Sequence, residues 1–127
     1  MEIKRQKPIV EQYHFDMKNP EEKVETSLQV GFMPLTPPDE DYPKENSIIG
    51  ARLEFTIDFP EFVLRGAVGQ VNHIVNHQIT KAEDISKEEA DDLVAPLFDL
   101  VQRLTYEVTE IVTDEPGIKL NFNSQVE

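Results

Sequence analysis

The chain has 127 residues, no cysteine, and 25 acidic against 12 basic residues, for a net charge of −13. That length supports one domain over 1–127 with a core of its own, and the missing cysteine excludes disulfides, thiol nucleophiles and thiolate metal sites. The negative field repels phosphate backbones and anionic lipid, so neither nucleic acid nor a membrane is an expected partner, and the missing cysteine fits a reducing compartment, so a cytoplasmic location is expected.

The opening MEIKRQKPIVEQYHF is basic but has no apolar run behind it, as a secretory signal or membrane anchor would require. Alternation from Pro8 to Met17 predicts a first strand, with Ile9, Tyr13, Phe15 and Met17 on one face and Val10, Gln12, His14 and Asp16 on the other. Glu11 interrupts the apolar face, as at a sheet edge. Asn19-Pro20 and the charged Glu21-Glu22-Lys23 read as the turn that follows. A second strand from Val24 to Met33 groups Val24, Thr26, Leu28, Val30 and Phe32. Pro34 to Asn46 is proline-rich and aperiodic, which predicts a long crossover that lets the next strand pair elsewhere than beside the second. Its Leu35 and Tyr42 are placed to pack onto the sheet and wall off a groove.

Ser47 to Asn76 organises the rest. Ile49, Ala51, Leu53, Phe55, Ile57 and Phe59 alternate with Gly50, Arg52, Glu54, Thr56 and Asp58, a period of two that a half-buried strand satisfies. Pro60-Glu61 turns the chain into a fourth strand, with Phe62 and Leu64 covered and Val63, Arg65 and Ala67 outward. Gly66 and Gly69 mark a bulge, a bend or a close backbone approach. Ser86-Lys87-Glu88-Glu89 has the spacing of a helix capping box. Beyond it Leu93, Val94, Leu97, Leu100, Val101, Leu104, Val108, Ile111 and Val112 recur at three and four, with Phe98 at the flank of the stripe. Pro96 inside that pattern predicts a short helix to about Ala95 and a longer one to about Thr113, ended by Pro116-Gly117. Ile118, Leu120 and Phe122 alternate in a short extended tail. Strands followed by helices give an α+β fold, a four-stranded antiparallel sheet with helices packed on one face.

No residue pattern announces a chemistry. Gly66 to Gln70 lacks the spacing of a phosphate-cradling loop and lies within a strand. His73 and His77 are four apart, but at a strand end and its exit, without the carboxylate partners of a metal site. Carboxylate runs such as Asp39-Glu40-Asp41 and Asp91-Asp92 lie in polar loops or at a helix start, where solvation and the helix dipole account for them better than general acid catalysis does. No catalytic residue, metal or cofactor is therefore expected.

From about Val10 to Phe122 the chain resembles the SecB-like fold, by its four strands with a long crossover and its proline-containing helix. Tyr13-His14-Phe15-Asp16 looks like the first-strand motif of that export chaperone, Phe62-Val63-Leu64-Arg65 with Gly69 its fourth-strand segment, Leu93-Val94-Ala95-Pro96-Leu97 its helix, and Leu120-Asn121-Phe122 its ending. The chain is also similar to a small acidic family of Gram-positive bacteria, a domain of unknown function classed with this fold. The resemblance implies a cytosolic homo-oligomer, a dimer or tetramer, that holds unfolded polypeptide in apolar grooves and docks the SecA motor through an acidic sheet face. Asp16, Val63 and Arg65 match the docking surface. Arg65 stands where the chaperone carries an acid, a charge reversal that argues against SecA docking, and the acidic C-terminal tail is shortened to NSQVE. The peptide-groove candidates are Phe32, Leu35, Tyr42 and Phe98. A non-enzymatic holdase for unfolded or exported proteins is the leading expectation; the alternative is an interaction or scaffold protein that binds one folded partner.

Overall fold

The computed structural model describes residues 2–37 and 39–120; Asn121, Phe122 and the NSQVE tail lie outside the described residues. Strands β1 (Glu2–Arg5), β2 (Ile9–Met17), β3 (Ser27–Leu35), β4 (Ser47–Asp58) and β5 (Phe62–Val75) precede a 3-10 turn (Ala82–Asp84) and an α-helix, α1 (Lys87–Thr113). The sheet is antiparallel, and its lateral order is β1, β5, β4, β3, with β2 sharing the outer side of β5 with β1. It is therefore four strands wide, as expected, but its first position is filled by two segments. β1 has no alternation of apolar residues to reveal it: only Ile3 is apolar, and it pairs with Ile74.

β4 and β5 supply the core. Ala51, Leu53, Phe55, Ile57, Phe62, Leu64 and Val68 are buried against Val94, Leu97 and Val101 of α1. Fully burying one such side chain stabilises the fold by about 1.5–3 kcal/mol, which is why the strict alternation of β4 is matched by its burial. In β2 the alternation fails at one point. A bulge between Val10 and Gln12 shifts the register, so Val10 pairs with Val68 while Ile9 pairs with Gly69. Val10 thus joins the face of Tyr13 and Phe15, and Ile9 goes to the opposite face, reversing the expected assignment; the extra residue, Glu11, is the bulge.

The crossover lies elsewhere than expected. β3 pairs directly with β4 along its length, so Pro34 to Asn46 does not carry the chain across the sheet. β3 itself runs through Pro34, whose lack of an N–H is tolerated on an edge strand. The link that crosses is residues 18–26, from β2 on one edge to β3 on the other. It is tied to the β4–β5 turn by Lys18 N–H donating to Glu61 O (3.1 Å), by Lys18 Nζ on Asp58 Oδ1 (2.7 Å) and by Asp58 N–H donating to Thr26 Oγ1 (3.0 Å).

α1 is also unbroken at Pro96. A proline inside a helix removes the N–H that would bond the carbonyl four residues back, here that of Asp92. Arg5 reaches over from β1 and donates its Nη2 to Asp92 O at 2.8 Å, filling the vacancy. The capping box is complete: Glu89 N–H donates to Ser86 Oγ and Ser86 N–H to Glu89 Oε1. Asp114, in the left-handed region at φ 54°, terminates the helix. Gly117 serves a different purpose, since a Cβ there would collide with the carbonyl of Tyr106 as the chain folds back along α1.

Arg5→Ala is expected to lower stability by about 1 kcal/mol, and Pro96→Ala, which restores the N–H, to shrink that cost; a double-mutant cycle by urea unfolding reads the coupling. The Ser86 N–H, and secondarily the Ser86 hydroxyl and His77, hold the Glu89 carboxyl below the ordinary glutamate range. A lowered folded pKa means that the unfolded chain binds the proton more tightly, so this stabilisation is present above the ordinary glutamate value and lost as pH falls through the lowered one. Glu89→Gln should therefore lose less stability than the parent between pH 7 and acid pH, read by the urea midpoint.

Candidate functional site

The sheet face away from α1 is exposed to solvent, and cross-strand register defines its rows. Met33, Gly50 and Val71 form one; Gly31, Arg52, Gly69 and Ile9 form the next; Gln29, Glu54, Ala67 and Gln12 a third. The first two rows make an open apolar trough of about 360 Å³. Its walls carry side chains that the fold leaves in water, Met33 at 64% and Ile9 at 60% exposure, with Leu35 beside them. The second row also brings charge into the trough lining. Arg52 Nε donates to Glu11 Oε2 at 2.7 Å, and its other arm binds Glu54. The Glu11 hydrogen bond chiefly holds the guanidinium protonated, raising its pKa.

Three glycines, Gly31, Gly50 and Gly69, make the floor, and none has a positive φ. A Cβ at Gly31 would meet nothing within 4 Å, and at Gly50 and Gly69 only contacts of 3.4 Å or more. Gly66 contrasts with them: a Cβ there would run into the Gln12 carbonyl and the Phe55 ring. The close approach expected at Gly66 is thus real, whereas the fold does not demand glycine at Gly31.

The expected docking residues converge. Asp16 pairs with Val63, and Arg65, two residues on, pairs with His14 on the same face. Asp16 and Arg65 are exposed, but Val63 is only 2% exposed, beside Asp58 and its ion pair with the nearly buried Lys18. The face around them is mixed in charge. The groove candidates do not converge. Leu35 stands in the trough wall, and Phe32 lines the trough as a residue but is partly buried against the core. Tyr42 lies at the end of the same face, its hydroxyl 3.1 Å from His73 Nδ1. Phe98 is on α1, across the sheet, packed partly against the core. That Gly31, Gly50 and Met33 share a site is not legible in the sequence, because the trough depends on register between β3, β4 and β5. A glycine or methionine on the polar side of each alternation was the available signal.

Among the described residues, no group of three or more His, Cys, Asp or Glu is arranged to hold a metal ion, and no helix is long and apolar enough to cross a membrane. Residues 1–122 match the model of the DUF1149 family, described as a protein of unknown function. The chain belongs to the DUF1149 family. A protein of unknown function from Streptococcus agalactiae is 37% identical, with a TM-score of 0.86 over 96% of this chain and 98% of that one. A SecB-like chaperone of Mycobacterium tuberculosis, Rv1957, solved with a ChAD peptide from the Rv1956 HigA1 antitoxin, aligns with a TM-score of 0.55 at 9% identity, covering 94% of this chain and 89% of that one. This DUF1149 chain therefore has an α+β, SecB-like fold. No curated protein matches it.

Gly66→Ala is expected to destabilise by about 1–3 kcal/mol through overpacking, while Gly31→Ala leaves the urea midpoint unchanged or slightly raised.

Proposed function

We propose that the protein is a non-enzymatic polypeptide-binding protein, a holdase that keeps unfolded chains in solution. The observation that carries this reading is an open apolar trough on a SecB-like sheet, in a chain with a net charge of −13. Apolar surface captures exposed hydrophobic segments, and the surplus negative charge keeps the complex dispersed. The SecB-like neighbour was solved with a peptide bound, which is consistent with such a role. It would act in the cytoplasm as a homo-oligomer, since Ile111 and Val112 on α1 stand in water at 75% and 51% exposure and invite a second subunit. SecA docking is not part of the proposal, because Arg65 and Arg52 place positive charge on a face that would need to be acidic and Val63 is buried.

Light scattering by a chemically unfolded client diluted into buffer tests the activity. The protein in stoichiometric excess should suppress aggregation, and unchanged scattering removes the holdase. Sizing with light scattering should return a mass above the 14.6 kDa of one chain; a monomer overturns the oligomer.

A further inference from the structure

We propose that Met33 is an oxidation site: a peroxide converts its thioether to the sulfoxide, and the oxygen added to the trough wall switches off apolar binding there. The consequence rests on the polypeptide-binding reading; the chemistry does not. The chain has no cysteine and three methionines, so thioethers are its only oxidisable sulfur. Met17 and Met33 are the two among the described residues, and both stand in water, at 71% and 64% exposure. Their places differ. Met33 pairs with Gly50 on the outer face and lines the trough. Met17 pairs with Phe62 at the far end of β2 and lies outside it.

The sulfur donates two electrons to hydrogen peroxide. The O–O bond breaks, an S–O bond forms, and the proton on the transferred oxygen passes to the leaving hydroxide, which departs as water. The oxidant is uncharged, so the field of a chain with net charge −13 does not keep it away. Met33 stands in water and has little packing to lose, whereas a sulfoxide inside a core would disrupt it. What changes is the trough. Arg52 pairs with Gly31 and is therefore the diagonal neighbour of Met33 across the β3–β4 ladder, a separation of about 7–8 Å that two long side chains span. Gly31 and Gly50 put no side chain between them. Arg52 uses Nε on Glu11 and Nη1 on Glu54, which leaves N–H donors for a sulfoxide oxygen. The thioether is only a weak acceptor. Bonded to Arg52, the oxidised side chain lies over the glycine floor and forces an apolar client to desolvate a polar group. A thiol-dependent sulfoxide reductase reverses the step, returning two electrons and two protons and releasing the oxygen as water.

The test treats the full chain with hydrogen peroxide, removes the excess with catalase, and locates the added oxygen by peptide mapping and mass spectrometry. Light scattering by an unfolded client then compares treated with untreated protein. Parent oxidised at Met33 should need about tenfold more protein for the same suppression, the order expected for taking a polar group out of water, at an unchanged melting temperature. Sulfoxide reductase should restore it. Met33→Leu, a volume-conserving exchange at an exposed position, should keep full suppression after the same treatment, and Met17→Leu should lose it as the parent does. No oxygen at Met33, undiminished suppression by the oxidised parent, or a loss in Met33→Leu equal to the parent's overturns the switch and leaves the holdase standing. A melting temperature that falls with the activity overturns it too, since the cause is then unfolding. If the untreated parent does not suppress aggregation, the polypeptide-binding reading fails and the switch fails with it.

Discussion

Every other strand of the sheet is hydrogen-bonded to β4 or β5, so the antiparallel pairing of Ser47–Asp58 with Phe62–Val75 is the constraint on which the molecule depends. That pairing fixes two surfaces at once. Leu53 opposite Val68 and Ile57 opposite Leu64 face α1, which forces Arg52 opposite Gly69 and Thr56 opposite Arg65 to the other side. A shift of one residue would exchange the two sets. The cost of exposing Leu53 or Leu64, both fully buried, locks the register and with it the rows that build the trough.

The parts that were legible in the sequence are those where one local rule acts alone. Period-two alternation reported β4, and serine and glutamate three apart reported the start of α1. The parts that were not legible depend on residues far apart in the chain. Pro96 breaks a helix by local rules, but Arg5, 87 residues before the Asp92 carbonyl, supplies the missing donor. Glu11 reads as a polar interruption, yet it is a bulge whose carboxylate closes on Arg52, 41 residues on. The proline-rich loop looks like a crossover because it is long. Its length is used locally: Tyr42 meets His73, Lys44 O accepts from Gln78 Nε2, and Asn46 Oδ1 accepts from the Asn76 N–H.

The two faces of the molecule also divide its charge. Arg52 and Arg65 stand among Glu11, Glu54, Asp16 and Asp58 on the outer sheet face, so positive and negative groups are interspersed there. The surplus acid is carried elsewhere, on α1 with its Glu88, Glu89, Asp91 and Asp92 and on the loop with Asp39, Glu40 and Asp41. Apolar matter can therefore approach the sheet face without crossing a densely acidic layer, while the remainder of the surface keeps molecules apart.

The C-terminal half of α1 completes this division in an unexpected way. Beyond Val101 the residues that it buries are Thr105 and Thr109, not Leu104, Val108, Ile111 or Val112 of its apolar stripe. Their hydroxyls are satisfied where they lie. Tyr13 O–H donates to Thr105 Oγ1 at 3.3 Å, Thr109 Oγ1 donates to Thr105 O at 2.6 Å, and the Ile118 N–H donates to Thr109 Oγ1 at 2.8 Å. These bonds keep each buried hydroxyl paired, which spares the cost of an unsatisfied polar group. The returning segment of Gly117 to Leu120 lies along that side of the helix, with Ile118 and Leu120 packed against the core. Because this side is closed by the chain's own backbone, Leu104, Val108 and Ile111 are left at the margin, with Ile111 the most exposed large apolar side chain of the helix. These apolar residues therefore form a margin on α1 that the chain's own core does not cover, on the side of the sheet opposite the trough.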